Sequence, residues 1–183
     1  MNPLVKRIDI DAGNDAGPLR SVPTLEDAYR LHRDNVYRLA LRLVGTREDA
    51  EDVVQEVFVE AHKGIVALRD MTKLRGWLST IAVRVSHRRL RSRKTRAWFG
   101  LAPDLSESYA DASSSPEDAT ALRAMYKTLE RMPIDQRIAW SLRHIEQERL
   151  DQVAVLCGCS LATAKRRIAA AEAFLEREVR RES

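Results

Sequence analysis

Membrane spans, export signals and disulfides all lack their raw material in this sequence. No run approaches the roughly 18 consecutive apolar residues of a spanning helix. The first ten residues carry Lys6, Arg7 and Asp9 where an export signal needs an apolar core. The expectation is a cytoplasmic protein with no membrane insertion. Only two cysteines occur, Cys157 and Cys159, which excludes a disulfide framework and a four-thiolate zinc site within the chain. Beside a glycine in a helix turn they read as small buried packers rather than a redox pair. The four histidines, His32, His62, His87 and His144, are scattered. No glycine-rich phosphate loop exists, and no carboxylate pair has a His or Cys beside it in a catalytic arrangement. The chain is therefore not expected to be an enzyme, and no catalytic residue, metal or cofactor is expected. Aromatics make up 5% of the 183 residues, while Leu, Ala, Arg, Glu and Val dominate. That alphabet is helical and argues against an all-β fold.

What the sequence does have is charge sorted into blocks. Residues 48–60 hold six acids (Glu48, Asp49, Glu51, Asp52, Glu56, Glu60) and no Lys or Arg. Residues 71–103 hold nine bases (Lys73, Arg75, Arg84, Arg88, Arg89, Arg91, Arg93, Lys94, Arg96) and no acid. Residues 100–120 again carry only acids, among them Asp104, Glu107 and Asp111. Like charges at this density repel one another, so a partner or solvent is expected to compensate each block. A dense basic stripe is the electrostatic footprint of a polyanion.

The apolar periodicity predicts an all-α fold of two small helical domains joined by a flexible acidic linker. Residues 1–23 mix Gly, Pro and scattered charge and read as a flexible arm. Thr24 precedes an apolar series at helical spacing up to Gly45, and Thr46 can cap a second helix whose acids lie opposite Val53, Val54, Val57 and Phe58. The pattern breaks over 66–73. A third helix follows from about 74 to 91, with Trp77, Leu78, Ile81, Ala82, Val85 and Leu90 as its buried stripe and Arg84, Arg88 and Arg91 opposite. The first domain thus covers 24–99. The linker spans 100–116, and the second domain, 117–183, breaks at Pro133. It contains a helix-turn-helix in which Gly158 takes the left-handed turn, Ser160 caps the next helix, and Lys165, Arg166 and Arg167 follow.

The stretch from Asp49, Ala50, Glu51, Asp52 to Val57 and Phe58, followed by Arg75, Gly76, Trp77, Leu78, Ser79, Thr80, Ile81 and Ala82, resembles the second conserved region of bacterial sigma factors. Residues 132–137, then Gly158, Cys159, Ser160, Thr163, Lys165 and Arg167, resemble their fourth region. Two such regions in order with a short linker resemble the extracytoplasmic-function group. The resemblance implies that Asp49, Asp52, Gln55 and Glu56 grip core RNA polymerase, and that the loop at 66–73 captures a flipped base. It implies promoter DNA contacts from Arg75, Arg84, His87, Arg88 and Arg91 at the minus-ten element. At the minus-thirty-five element it implies contacts from Ser160, Thr163, Lys165, Arg166 and Arg167. It also implies an anti-sigma protein as a partner, which no residue here identifies. The family commonly has Asn and Asp where this chain has Arg84 and Arg88, which exchanges base reading there for phosphate attraction. A free-standing helix-turn-helix regulator is the alternative, and it leaves the acidic helix and acidic linker without a role.

Overall fold

The computed structural model describes residues 24–68, 70–99 and 116–182; the expectations for the arm at 1–23 and for the linker acids Asp104, Glu107 and Asp111 lie outside them. Every regular element among the described residues is helical. In α1 (Leu25–Val44), Thr24 and Asp27 close a capping box, with the Asp27 backbone N–H donating to Thr24 Oγ1 at 3.1 Å and the Thr24 N–H donating to Asp27 Oδ2 at 3.2 Å. Gly45 ends α1 at φ 91°, and Thr46 caps α2 (Arg47–Gly64). Two 3₁₀ turns, Ile65–Ala67 and Met71–Lys73, make up the break predicted over 66–73. The next helix, α3 (Leu74–Trp98), runs seven residues past the predicted end at Arg91. The apolar stripe stops at Leu90, but no Gly or Pro intervenes before Gly100 to end the helix.

The second half contains α4 (Pro116–Arg131), α5 (Ile134–His144), α6 (Leu150–Leu156) and α7 (Leu161–Glu182). Pro133 has no N–H to continue α4 and disfavours a helical residue before it, so the chain turns there. Between α6 and α7, Gly158 adopts φ 60°, a conformation that costs any residue with a Cβ. The Ser160 hydroxyl then accepts the Thr163 N–H at 3.2 Å and starts α7.

The first three helices pack around Leu43, Val53, Val57, Leu74, Leu78 and Val85, all buried. Trp77, expected in the core, is half-buried against this cluster, and its ring lies where a Cβ on Gly64 would be 2.9 Å away. The core continues through Ile138, Ala139 and Leu142 of α5, Val153 and Leu156 of α6, and Ala164 and Ile168 of α7. A smaller cluster of Tyr126, Leu129, Met132 and Ala171, backed by Trp140 and Phe174, joins α4 to α7.

Polar contacts reinforce this packing at the end of α1, where four carbonyls have no partner within the helix. Arg137 of α5, only 3% exposed, donates from Nη2 to Leu43 O at 2.8 Å and Val44 O at 3.1 Å. The Tyr126 hydroxyl of α4 donates to Arg42 O at 3.1 Å, and Arg93 of α3 reaches Val44 O at 3.3 Å. Cations here also meet the negative end of the helix dipole.

Candidate functional site

Capping by Thr46 and the buried series Ala50, Val53, Val54, Val57, Phe58 fix which way α2 faces. Gln55 and Glu56 are thereby exposed, and Asp52 is half-exposed beside them. Asp49 is not part of that outward row. It is 7% exposed, and its carboxylate accepts Arg89 Nε at 2.7 Å and Arg93 Nη1 at 3.0 Å. Burial alone would raise its pKa, but the hydrogen bond from Arg89 and the charge of Arg93 outweigh it and hold the carboxyl below its ordinary range. The expectation of Asp49 as a surface contact is corrected accordingly: one helical turn from the cap, its side chain points back toward α3.

The same packing corrects the picture of unopposed charge blocks. Antiparallel to α2, α3 brings its arginines onto the acids. Arg88 Nη2 contacts Glu56 Oε1 at 2.6 Å and Glu60 Oε1 at 2.9 Å. Arg84 pairs with Glu60, and Arg89 also pairs with Asp52. Burial would raise Glu60, yet hydrogen bonds from Arg88 and Arg84 lower it; Arg88 in turn is raised, chiefly by Glu60. So Arg84 and Arg88, with no acid near them in sequence, have two in space. Exposed ion pairs of this kind are worth about 0–1 kcal/mol each, so a phosphate can replace the carboxylate at small cost. Arg75 and Arg91 are exposed, and among the described residues neither meets a carboxylate.

The two predicted DNA-reading helices meet at Asp135 of α5. Its Oδ1 lies 3.1 Å from His87 Nε2 of α3 and 3.2 Å from Arg167 Nη2 of α7. Around this contact lies a cavity of about 440 Å³, walled by Thr80, Val83 and Arg84 on one side and Ile138, Leu156 and Gly158 on the other. Ser160, Lys165 and Arg166 are exposed on the first turns of α7, Thr163 is half-buried and bonded to Ser160, and Arg167 is turned inward. Cys157 packs against the core and its thiol is pushed up to about 12 by burial and then by Cys159 beside it. Sequence reasoning missed Glu60, Arg89, Arg93, Asp135 and Arg137. Of these, Arg93 carried a signal of burial, standing three residues past the apolar Leu90 on the buried stripe.

No group of three or more His, Cys, Asp or Glu side chains able to hold a metal occurs among the described residues, and no helix there is long and apolar enough to cross a membrane. Comparison with known proteins matches the family model for sigma-70 region 2 over residues 28–96 and that for sigma-70 region 4 over residues 122–175. The chain is 31% identical over 152 residues to the ECF RNA polymerase sigma factor SigM of Mycobacterium tuberculosis, covering 83% of this chain and 75% of that protein. It is 24% identical over 164 residues to the ECF sigma factor SigW of Bacillus subtilis, covering 84% and 88%. Among solved structures, the sigma factor RpoE of Bartonella quintana, in complex with the anti-sigma factor NepR, has a TM-score of 0.63 at 24% identity, covering 85% of this chain and 96% of that one. CnrH, in complex with the cytosolic domain of CnrY, has a TM-score of 0.58 at 20% identity, covering 87% and 89%. An acidic helix zipped to a basic one, a helix-turn-helix behind them and these matches along both halves all converge: the chain belongs to the extracytoplasmic-function family of RNA polymerase sigma factors.

Proposed function

We propose that the chain docks on core RNA polymerase through Asp52, Gln55 and Glu56 of α2, with Asp49 as the buried anchor that sets the row's orientation. In this reading Arg75, Arg84, His87, Arg88 and Arg91 serve the minus-ten element. Ser160, Thr163, Lys165, Arg166 and Arg167 serve the minus-thirty-five element, where the start of α7 enters the major groove. The chain works in the cytoplasm as an initiation factor and itself catalyses nothing. The observation that carries the reading is the outward row on α2. A free-standing regulator has no use for this row on the solvent side of α2, whereas a chain that docks on a basic surface of the polymerase does.

Promoter recognition requires the two halves to separate. Asp135 holds His87 and Arg167 within one polar cluster, but the two promoter elements lie about 25 base pairs apart, or about 85 Å at 3.4 Å per step. A compact chain of this length has a radius of gyration of only about 16 Å. The contacts of Asp135, Arg137 and Tyr126 across the halves are therefore those that open on engagement. A protein that keeps them closed would silence the factor, and an anti-sigma partner of that kind completes the proposed set. The docking test is Gln55→Arg. Gln55 is neutral and exposed on the acidic row, so the substitution places a positive charge on that row without breaking the seam to α3. Pull-down with core polymerase should fail while the helical circular dichroism is unchanged; retained binding would refute the docking face.

A further inference from the structure

The walls of the cavity beside Asp135 come from both halves of the chain: Val83, Arg84 and His87 from α3, and Asp135, Ile138, Leu156 and Arg167 from α5, α6 and α7. Its volume of about 440 Å³ is that of a small-molecule site, in which apolar walls surround a few convergent polar groups. Val83, Ile138 and Leu156 are buried core side chains, and a gap between them forfeits contacts that a filled core would make. The polar groups are richer in donors than in acceptors. Asp135 is the single carboxylate of the lining, and both His87 and Arg167 meet its Oδ1. Each guanidinium has five N–H donors, of which a carboxylate takes at most two. Glu60 at Arg84 and Asp135 at Arg167 therefore leave donors over. Cys157, its thiol pushed up to about 12, adds no charge. Two fixed positive charges, Arg84 and Arg167, thus line the cavity against one negative charge.

We propose that this cavity binds a small organic anion, an apolar body bearing one carboxylate, and that the bound anion keeps the two halves of the chain together. The apolar walls select the body. The spare donors of Arg84 and Arg167 select the carboxylate, and away from bulk water that pairing is stronger than it would be on the surface. A cation would meet two guanidiniums at close range, and a neutral ligand would leave their spare donors with weaker acceptors. Moving α3 away from α5, α6 and α7 dismantles the walls, so the anion binds the closed arrangement and not the separated one. At a ligand concentration of 100 times Kd, opening becomes about 100-fold less favourable. The anion also occupies Arg84, His87 and Arg167, which are proposed above as DNA contacts. This locking role rests on the proposed separation of the halves at the promoter; the binding itself does not.

The test is isothermal titration calorimetry of the full chain with 2-naphthoate, indole-3-acetate and decanoate. At least one should bind one-to-one with a Kd below about 1 mM, and its primary amide should bind about 5- to 10-fold more weakly. Arg167→Gln should weaken the acid about 10- to 150-fold and the amide less than about fivefold. Thr80→Phe, which fills the cavity from α3 without removing a charge, should abolish binding of both at a parent-like melting point. Binding by none of the three acids overturns the proposal, as does binding unchanged in Thr80→Phe or an equal loss of acid and amide in Arg167→Gln. For the lock, the binding acid at 100 times its Kd should raise the concentration of chain needed for half-maximal promoter transcription about 100-fold, and should leave that of Thr80→Phe unchanged. An unchanged requirement in the parent overturns the lock. A chain that starts no transcript with or without the acid would refute the promoter reading and the lock with it, and the site would be decided by the calorimetry.

Discussion

Arg137 Nη2, on the first turns of α5, lies 2.8 Å from the carbonyl oxygen of Leu43 in the last turn of α1. One buried guanidinium, stacked over the Tyr126 ring at 5.9 Å, thus terminates a helix of the other half of the protein. Arg137→Ala leaves that carbonyl short of a donor and opens a void, with an expected loss of about 2–4 kcal/mol. For a chain of this size that corresponds to a melting point about 5–15 °C lower. Differential scanning calorimetry checks it, and a shift under 2 °C, the effect of about half a kcal/mol, would show that the contact carries no stability.

The carboxyls of Asp49 and Glu60 give the stability a defined acid limb. Both pKa values are lowered in the folded protein, so their contribution is complete above the unfolded values near 4 and is lost as pH falls through the folded ones. Urea denaturation from pH 7 down to pH 2 should show this decline. Asp49→Asn should be less stable than the parent at pH 7 and should converge with it at the acid end. A constant difference across the range would mean that the ion pairs with Arg89 and Arg93 are not what stabilises the anchor.

Cys157 should be chemically silent. With its thiol pushed up to about 12, the thiolate fraction at pH 8 is about one in ten thousand. Brief iodoacetamide treatment of the native protein, followed by peptide mass spectrometry, should leave Cys157 unmodified, and the same treatment in urea should modify it. Native modification at the rate of free cysteine would show that the turn between α6 and α7 opens.

Much of this fold is legible in the sequence because its signals are local. Thr24, Thr46 and Ser160 cap the helices they precede, Gly158 turns the chain where a left-handed residue is needed, and Pro133 divides α4 from α5. The candidate site is only half legible, because its remaining parts depend on distance in space. Arg84 and Glu60 are 24 residues apart and Arg93 and Asp49 are 44 apart. Two charge blocks that each suggest an external partner from sequence are in part compensated by one another, Asp49, Asp52, Glu56 and Glu60 meeting Arg84, Arg88, Arg89 and Arg93 once α2 and α3 pack antiparallel. Asp49 and Gln55 look alike as members of one acidic helix, but the direction of α3 buries one and leaves the other in water. Asp135 and Arg137 lie in the stretch 132–137 that resembles the fourth region, but nothing in that stretch shows that they reach His87 and the end of α1 in the other half of the chain.

The two reading helices should separate on DNA. A dye pair on cysteines introduced at His62 and Ala173, both exposed and outside the proposed DNA contacts, in a chain with Cys157 and Cys159 changed to Ser, should show efficient energy transfer in the free protein. Transfer should be nearly lost in the promoter complex, where the two elements are about 85 Å apart. Persistent high transfer would mean that only one element is touched at a time.

On α7, the helix proposed to read the minus-thirty-five element, Lys165 and Arg166 point outward whereas Arg167 is held by Asp135. Lys165→Ala should therefore change which upstream base is preferred, by about 1–3 kcal/mol at one position. Equal loss on every upstream sequence would make α7 a phosphate clamp.

The most direct measurement is transcription by purified core RNA polymerase, with and without this protein, over a randomised promoter library, sequencing the transcripts. Addition of the protein should create new start sites preceded by two sequence blocks about 25 base pairs apart, and Gln55→Arg should abolish them. Start sites unchanged by the protein, together with tight binding of the protein alone to a single duplex sequence, would contradict its role as a promoter-specificity subunit.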